Sequence, residues 1–453
     1  MDKFTEECGL VAVALETDIE AAQAAYFGLN GLQHRGQQST GLAVSSSGVI
    51  SCYKDMGLVT EVLDEKILTL LKGRMALGHV KYGPATESFQ IFAQPLVINY
   101  RHGMLATAFN GALVNGGFLR ERMENEGVIF STKTDCEVIA ALVARYDKND
   151  IAAAVKAAMG DIRGGYAVCI MSRDTIIGAR DPLGIRPLAL GRLEGGYALA
   201  SESCAFDMME AQFIRDLKPG EIVIIKNGNI TSLDVGAAQK RAMCAFEYVY
   251  FARPDSTIDG KNVFKVREIA GRTLAMEKPV NADIVIGVPD SGTPAAIGYS
   301  EGSGIPYRPG LIKNKYIGRT FIQPTQAQRD IDVRIKLNPI DSIVKGKSVV
   351  LVDDSIVRGT TMRKIISSIR GVGAKEVHLR ISSPPIRNSC YFGVDTPDIK
   401  DFIATSCSVD EIRDILGVDS LGFISIEGLL RSLGGTEYCT GCFSGDYPMS
   451  IGD

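Results

Sequence analysis

The sequence predicts an α+β domain with largely antiparallel sheets, followed by an α/β domain built on a parallel sheet. Over roughly the first 230 residues, short strand-like runs cluster, and helical patterns come in groups rather than in strict alternation with them. From about residue 260, each apolar strand is followed by a turn of small residues and a helix, which is typical of a doubly wound parallel sheet. With 453 residues and 45% apolar composition, each domain can bury a core of its own.

The predicted elements follow in order along the chain. Strands of the first domain are expected at Gly9–Leu15, Gly41–Ser45, Met75–Val80, Met104–Phe109, Tyr166–Met171, Tyr197–Ser201 and Glu221–Lys226. Helical periodicity indicates helices at about Ile19–Gln33, Asn115–Asn125 and Asp135–Tyr146. Parallel strands of the second domain are expected at Asp283–Val288, Lys347–Asp353 and Glu376–Ser382. We place the boundary between the domains in the polar stretch Ile230–Arg241.

Charge and hydropathy exclude several classes of protein. The net charge is −4, so no overall positive field attracts nucleic acid or an anionic membrane. No apolar run approaches the ~18 residues of a membrane span, and Met1–Glu7 is too short and too acidic for a signal peptide. We therefore expect a cytoplasmic protein with no nucleic-acid or membrane partner, whose thiols stay reduced. Ordinary buried thiols are expected at Cys52, Cys136, Cys169 and Cys204.

The strongest local pattern is an apolar strand that ends in two acids, Asp353 and Asp354, before a loop that opens a helix. Ligands of open α/β sheets bind beyond the carboxyl ends of the strands, so both acids are expected in the binding crevice. The loop offers backbone N–H groups and hydroxyls at a helix N-terminus, which favours phosphate, while the acids suit ribose hydroxyls or hydrated magnesium. The alternative, acids that only cap a helix, leaves two adjacent carboxylates without a cation or hydroxyl partner. The loop residues singled out are Ser355, Arg358, Gly359, Thr360 and Thr361.

Two further segments belong to the same expected site. The turn Val288–Gly292 follows the earlier parallel strand and places Ser291 on the same sheet edge, where it suits diphosphate and metal. Residues 313–338 form a cationic stretch that we interpret as a mobile lid over a diphosphate leaving group. A solvated loop is the alternative interpretation. The cations of this stretch are Lys313, Lys315, Arg319, Arg329, Arg334 and Lys336.

Several long strings in the chain resemble one known family. The string D-D-S-I-V-R-G-T-T from Asp353 resembles the loop of type I phosphoribosyltransferases. Three others, V-P-D-S-G-T-P-A-A-I-G-Y from Val288, F-E-Y-V-Y-F-A-R-P-D-S from Phe246 and K-N-K-Y-I-G-R-T-F-I-Q-P from Lys313, resemble glutamine phosphoribosylpyrophosphate amidotransferases. L-Q-H-R-G-Q and F-N-G in the first domain resemble that family's glutaminase domain. The resemblance runs nearly end to end.

This resemblance implies an architecture and a reaction. The fold is expected to be an αββα N-terminal nucleophile hydrolase sandwich, residues 8–235, joined to a type I phosphoribosyltransferase domain, residues 236–453. The reaction makes 5-phosphoribosylamine, glutamate and diphosphate from phosphoribosyl diphosphate, glutamine and water, the first step of de novo purine biosynthesis. Magnesium held by Ser291, Asp353 and Asp354, purine nucleotides as feedback inhibitors and a homotetramer are implied as well.

Cys8 is the candidate nucleophile of the first domain. A cysteine that becomes the first residue of a mature chain can use its own α-amine, with a pKa of about 7.7–8.0, as the base that activates its thiol. Residues 1–7 would then be a leader that must be removed. The chain has only four histidines, which disfavours a Cys-His design, and a buried strand cysteine is the bland alternative. The resemblance implies Asn110 and Gly111 as oxyanion donors and Asp135 as the partner of the substrate α-ammonium group.

The glutamine pocket departs from the family pattern at three positions. Lys81 stands where the family usually has an arginine that grips the α-carboxylate, and lysine lacks the bidentate fork. Phe109 replaces a usual histidine, and Ala112 replaces a usual asparagine. Two alternatives to the glutamine-dependent enzyme therefore stand at this point: a transferase that uses ammonia, and a non-catalytic regulator that binds phosphoribosyl diphosphate.

A metal centre is expected near the C-terminus. Cys439 and Cys442 have the C-x-x-C spacing that directs two thiolates to one metal centre, which alone leaves zinc, redox and iron-sulfur interpretations open. In the subgroup of the family that carries a 4Fe-4S cluster, two distant cysteines complete the ligand set, and Cys244 and Cys390 match them. The resemblance therefore implies a 4Fe-4S cluster on these four cysteines, with unpaired thiols and a structural zinc as the alternative.

Overall fold

Two antiparallel sheets, stacked face to face, form the first half of the molecule. The structure is a computed structural model that describes residues 8–16, 21–82, 89–236, 240–314 and 337–451. The strands of this half are β1 Gly9–Leu15, β2 Ser39–Ser46, β3 Val49–Met56, β4 Met75–Lys81, β5 Leu96–Tyr100, β6 Gly103–Leu113, β7 Gly164–Met171, β8 Thr175–Arg180, β9 Ala189–Leu193, β10 Gly196–Ala200, β11 Gln212–Asp216, β12 Glu221–Lys226 and β13 Asn229–Asp234. One sheet has the order β11-β9-β10-β1-β4-β2-β3 and the other β13-β12-β8-β7-β6-β5.

The alternation of side chains along β1 shows how this half is layered. Leu10 and Ala12 pack between the two sheets, whereas Val11 and Val13 pack against the helix Ala21–Gly31 on the outer face. Other helices cover the far face of the six-stranded sheet through an apolar cluster of their own. The result is the predicted αββα sandwich. The helices of this half are Ala21–Gly31, Val59–Val62, Glu65–Leu70, Gly116–Asn125, Asp135–Tyr146, Ile151–Asp161 and Cys204–Met208.

A four-stranded parallel sheet forms the centre of the second half. Its order is β17-β20-β21-β22, and all three pairings are parallel. The strands of this half are β14 Met243–Cys244, β15 Thr257–Ile258, β16 Lys261–Asn262, β17 Ile284–Gly287, β18 Leu311–Lys313, β19 Leu337–Pro339, β20 Ser348–Asp353, β21 Glu376–Ile381, β22 Ser420–Phe423 and β23 Tyr438–Cys439.

Helices cover both faces of the parallel sheet. Val350 and Val352 of β20 pack against the helices Val263–Glu277 and Thr293–Ser303, and Val349 and Leu351 face the helix Thr360–Gly371. This is the doubly wound arrangement that the sequence predicts. Shorter helices complete this half at Asp341–Val344, Ile403–Ser406, Val409–Leu416, Ile426–Leu433 and Gly441–Ser444.

Three expectations need correction. Residues 230–234, expected to start the polar boundary stretch, lie in β13, which pairs with β12 at the edge of its sheet. Cys52, expected to be buried, is exposed on β3, whereas Cys136, Cys169 and Cys204 are buried as predicted. β22 was not predicted as a strand. In the described parts of the chain, no helix is long and apolar enough to cross a membrane.

Candidate active sites and their junction

One cleft gathers most of the residues predicted for glutamine hydrolysis. Cys8 lies directly before β1, Lys81 is the last residue of β4, and Asn110 and Gly111 lie within β6. Asp135 begins the helix Asp135–Tyr146. These residues line a cleft of about 320 Å³, near the lower bound of small-molecule pockets and suited to one amino acid. A segment of the second half, residues 390–395, supplies another wall of the same cleft.

Asn110 presents an unused hydrogen-bond donor to this cleft. The residue is 1% exposed, and its side-chain Nδ2 has no hydrogen-bond partner among the described residues. Buried donors are nearly always paired, so an unpaired one that lines a cleft indicates a ligand acceptor. The next residue, Gly111, has a φ of +137°, and a Cβ there would lie 2.0 Å from the carbonyl oxygen of Gly165. Only glycine fits at this position.

The backbone before Asn110 is held from two sides. The N–H of Phe109 donates to Gln94 Oε1 at 2.7 Å, and the carbonyl of Phe109 lies 3.1 Å from Nε2 of His79. Burial lowers the pKa of His79 to about 3, so its ring is neutral and donates its Nε2 proton to that carbonyl. Both contacts involve the main chain of Phe109. They therefore do not require the histidine that the family usually carries there.

Charged groups at the rim suit the zwitterionic end of an amino acid. The Asp135 carboxylate accepts a hydrogen bond from the N–H of Leu113 at 2.8 Å, which fixes it at the cleft. Lys81 is 5% exposed, and its Nζ lies 3.4 Å from the carbonyl oxygen of Phe92. Lys133 also lines the cleft, and the sequence analysis had not singled it out. A carboxylate and two ammonium groups can bind an α-ammonium and an α-carboxylate together.

A buried ionic network joins Cys8 to the second half of the chain. Nε of Arg35 donates to the carbonyl of Cys8 at 3.1 Å. Its two Nη atoms donate to Glu202 at 2.6 Å and to Glu247 at 2.9 and 2.7 Å. All three side chains of this network are fully buried, and Arg186 lies 3.5 Å from Glu247 on the other side. Glu247 belongs to the F-E-Y-V-Y-F string, so one guanidinium spans both halves.

Glu202 forms a second buried connection between the two halves of the chain. Its carboxylate accepts hydrogen bonds from the N–H of Arg253 at 2.9 Å and from the Ser256 hydroxyl at 2.6 Å. Burial alone would raise the pKa of Glu202, but His34 and Arg35 lower it well below its usual range. The ligand atoms of His34, Glu202 and Cys204 lie within 4.8 Å of one another. We assign no metal there, because the Arg35 cation already occupies that carboxylate.

Removing one carboxylate from this network should destabilise the fold strongly. Glu247→Ala leaves Arg35 buried with half of its countercharge, which should lower the free energy of unfolding by about 3–5 kcal/mol. Glu301→Ala is the matched control, because Glu301 pairs with Arg272 in an exposed ion pair and should cost about 0–1 kcal/mol. Urea unfolding of the two variants measures the difference. Equal losses would contradict a stabilising role of the buried network.

The second candidate site lies at the carboxyl ends of β17 and β20. Asp353 is 2% exposed and Asp354 is fully buried. The Asp354 carboxylate accepts hydrogen bonds from the hydroxyls of Ser355 and Ser291, at 2.5 Å each. Ser291 comes from the turn after β17, so the two loops lie side by side on one sheet edge. Their oxygen donors are of the kind that Mg²⁺ prefers.

Cationic groups border this edge. Arg358 donates to Asp401 at 2.6 Å, and Lys313 lies 2.5 Å from Asp290 in the turn after β17. Thr360 begins the helix Thr360–Gly371, with Gly359 as its N-cap. The remaining lid cations, including Lys315 and Arg319, fall in residues 315–336, outside the described residues.

Four cysteines from three distant parts of the second half lie together. β14 and β23 pair in parallel, which sets Cys244 opposite Cys439. Two backbone N–H groups of the segment that leads to Cys390 donate to the carbonyl of Cys442, at 3.0 Å each. Burial raises the pKa of Cys244 and Cys439 to about 12, with neighbouring thiols adding to the shift. The pKa of Cys442 is raised well above its ordinary value by burial and by all three other thiols.

Known proteins match the chain in sequence over nearly its whole length. The glutamine amidotransferase domain family matches residues 88–208, and the phosphoribosyl transferase domain family matches residues 259–400. Amidophosphoribosyltransferase of Archaeoglobus fulgidus is 47% identical over 450 residues, which are 98% of each chain. That of Bacillus subtilis is 45% identical over 455 residues, which are 99% of this chain and 95% of the relative.

Two solved structures also match the chain over nearly its whole length. Glutamine phosphoribosylpyrophosphate amidotransferase from B. subtilis, complexed with ADP and GMP, has a TM-score of 0.92 at 45% identity and covers 98% of both chains. A second structure, described as the allosteric regulatory enzyme of purine biosynthesis, also has a TM-score of 0.92. Both the sandwich and the parallel-sheet domain fall within these alignments. The chain therefore belongs to the amidophosphoribosyltransferase family.

Proposed function

We propose that this chain converts phosphoribosyl diphosphate, glutamine and water into 5-phosphoribosylamine, glutamate and diphosphate, the first step of de novo purine biosynthesis. The observation that carries the proposal is the cleft in which Cys8 lies with the unpartnered Nδ2 of Asn110, in a chain that also has a phosphate-type loop after β20. A regulator that only binds phosphoribosyl diphosphate has no need of a nucleophile beside a hydrogen-bond donor that awaits an oxyanion.

Glutamine hydrolysis is assigned to Cys8. Its thiolate attacks the side-chain carbonyl carbon of glutamine, the C–N bond breaks and ammonia leaves, and water then hydrolyses the thioester to glutamate. Asn110 Nδ2 and the N–H of Gly111 stabilise the oxyanion, while Asp135 and Lys81 hold the α-ammonium and α-carboxylate groups. The base is the α-amine of Cys8, exposed by removal of residues 1–7, which lie outside the described residues.

The histidines support an amine as the base. Each of the four makes a hydrogen bond elsewhere: His34 with Glu202, His79 with the Phe109 carbonyl, His102 with the Asp147 carbonyl, and His378 with Ser348 and Ser420. None of the four is among the residues that line the cleft around Cys8, so none is placed to act as its base.

Ribosyl transfer is assigned to the edge of the parallel sheet. Ammonia from the first cleft passes inside the protein and displaces diphosphate from C1 of the ribose. Asp353 and Asp354 orient the ribose hydroxyls and, with Ser291, hold Mg²⁺, which neutralises charge on the leaving diphosphate when bound. The residues assigned to phosphate are Ser355, Arg358, Gly359, Thr360 and Thr361 from the loop, with Lys315 and Arg319 from the lid.

The domain bounds, the inhibitors and the oligomeric state are inferred from the same family. We assign residues 8–235 to glutamine hydrolysis and residues 236–453 to phosphoribosyl transfer. β13 ends at Asp234, two residues before the start of the second domain at residue 236. Purine nucleotides as inhibitors are supported by the ADP and GMP bound in the B. subtilis relative. A cytoplasmic homotetramer completes the proposal.

One assay tests the function directly. Diphosphate release from phosphoribosyl diphosphate is measured on one preparation with glutamine and, separately, with ammonia. We expect both donors to support turnover, with glutamate formed in step with diphosphate when glutamine is supplied. Turnover with neither donor would refute the proposal.

One observation favours a second function, an ammonia-dependent transferase. Nζ of Lys81 already lies 3.4 Å from the Phe92 carbonyl, so the ammonium that replaces the family's arginine has another partner. Under this alternative, the same assay shows turnover with ammonia and none with glutamine.

A 4Fe-4S cluster on Cys244, Cys390, Cys439 and Cys442 is part of the proposal. The four thiols fit such a group, because they lie in one apolar cluster where burial and neighbouring thiols raise the pKa of Cys244, Cys439 and Cys442, and a cationic iron-sulfur core would remove that repulsion. The cluster, when bound, ties β14 and β23 to the segment that carries Cys390. Its role here is structural.

The metal content distinguishes the cluster from zinc. Protein purified without oxygen should be brown and hold about four irons per chain. Cys439→Ser should lose iron and colour, while Cys407→Ser, a control at a cysteine outside the group, should keep both. Colourless wild-type protein with a single zinc would contradict the cluster.

A further inference from the structure

A short segment of the second half lies against the oxyanion site of the first. Gly393 packs so closely on Gly111 that a Cβ added to Gly393 would lie 2.6 Å from both the Cα and the carbonyl carbon of Gly111. Real Cβ atoms essentially never approach heavy atoms to that distance. Gly111 itself is blocked on its other side, where its own Cβ would lie 2.0 Å from the Gly165 carbonyl. The backbone of Gly111 is therefore held at its Cα and carbonyl group between β7 and residue 393.

The clamping segment is itself firmly held. Phe392 is 1% exposed, and its carbonyl accepts hydrogen bonds from Nε of Arg186 at 2.8 Å and from Nη2 of the same side chain. Arg186 is fully buried and lies 3.5 Å from Glu247. On the other side, the ring of Tyr447 packs edge-on against Phe392, and its hydroxyl donates to the Ser389 carbonyl at 2.5 Å. Residues 389–393 thus cannot shift without breaking several buried contacts.

We propose that Gly393 is a positioning residue for glutamine hydrolysis, setting the place of the Gly111 N–H that stabilises the oxyanion. The inference rests on the proposed hydrolysis at Cys8, and it adds a contribution from the second half of the chain. A donor to an oxyanion acts only if it lies about 2.7–3.1 Å from the position that the oxygen reaches in the transition state. A contact that holds the Gly111 backbone in place therefore acts on the rate rather than on substrate binding.

Gly393→Ala tests this directly. The added methyl group must displace the Gly111 peptide, so glutamine-dependent kcat should fall about 10²-fold, as for loss of one oxyanion donor. The KM for glutamine should change little, because the α-ammonium and α-carboxylate groups bind elsewhere in the cleft. Ammonia-dependent turnover and iron content should stay at the wild-type level, which shows that the fold and the thiol group are intact.

Gly103→Ala is the matched control. Gly103 has a φ of +119°, close to the +107° of Gly393, but a Cβ there meets nothing within 4 Å. Both substitutions place an alanine at a positive φ, and only the one at Gly393 reaches Gly111. A Gly393→Ala variant no slower than Gly103→Ala, or one in which KM rises while kcat holds, would overturn the proposal.

A second variant tests the proposal in case Gly393→Ala disrupts more than glutamine hydrolysis. If Gly393→Ala also loses ammonia-dependent turnover, Arg186→Lys decides, since lysine keeps the charge beside Glu247 but cannot make both bonds to the Phe392 carbonyl. A loss confined to glutamine-dependent kcat supports the clamp, and an unchanged kcat overturns it. Wild-type protein that hydrolyses no glutamine would instead refute the proposed function.

Discussion

Replacing Cys8 by alanine should abolish glutamine-dependent transfer and leave ammonia-dependent transfer unchanged. In the proposed mechanism the thiol forms the covalent intermediate, and loss of a catalytic nucleophile lowers kcat by on the order of 10⁴-fold or more. Ammonia enters after that step, so its reaction with phosphoribosyl diphosphate needs no thiol. The measurement is diphosphate release with each nitrogen donor.

Cys52→Ala serves as the control for removal of a thiol, because Cys52 is exposed on β3 and is not among the residues that line the cleft. It should match the wild type with both donors. Mass spectrometry of the active wild-type protein should show Cys8 as its first residue. Active glutaminase that still carries residues 1–7 would contradict the α-amine as base, and a Cys8→Ala variant that still hydrolyses glutamine would contradict the nucleophile itself.

Asp354→Asn should abolish transfer from both donors. Two serine hydroxyls donate to the Asp354 carboxylate, and the substituted amide offers one acceptor and an NH₂ group in its place. The loss of a buried negative charge also weakens the proposed hold on Mg²⁺ and on the ribose hydroxyls. We expect turnover to fall about 10³-fold, at the upper end for removal of one preorganised electrostatic contact.

A control variant and a separate measurement of glutaminase activity distinguish this loss from damage to the first cleft. Asp414→Asn removes an exposed carboxylate that pairs with Arg413 in the same half of the chain, and it should leave turnover unchanged. Glutaminase activity of Asp354→Asn, measured as glutamate release, shows whether the first cleft still works. Normal ammonia-dependent turnover in Asp354→Asn would contradict the role given to this carboxylate.

Local patterns predicted the regular elements well where an apolar segment has clear ends. β1, β12 and the helix Asp135–Tyr146 begin and end at the predicted residues, because each is a mostly apolar and buried segment that is followed by a polar residue. β13 was missed since it is an edge strand, mostly polar and exposed, with no buried face to produce a pattern. β22 is only four residues long and contains a glycine, so it too carries little signal.

The candidate sites divide in the same way. Residues in short strings, such as Asp353 with Asp354 or Asn110 with Gly111, could be named from the sequence because their chemistry is local. Glu202, Arg186 and Gly393 could not, since each acts through a contact with a distant part of the chain. Arg186 and the Phe392 carbonyl are 206 positions apart, and neither residue alone has a pattern that predicts the other. The string F-E-Y-V-Y-F was noticed, but the sequence did not show that its glutamate pairs with Arg35.

The parallel pairing of β14 with β23 has a consequence for biosynthesis. Cys244 and Cys439 face each other across this two-residue ladder although roughly 200 residues of chain separate them, a stretch that a ribosome synthesises in about 10–40 s. Throughout that interval Cys244 is present in the growing chain, whereas Cys439 has not yet been synthesised. The proposed cluster can therefore be completed only after Cys442 has been synthesised. A product truncated before Tyr438 contains every strand of the sandwich and of the four-stranded parallel sheet, yet it lacks two of the four proposed ligands.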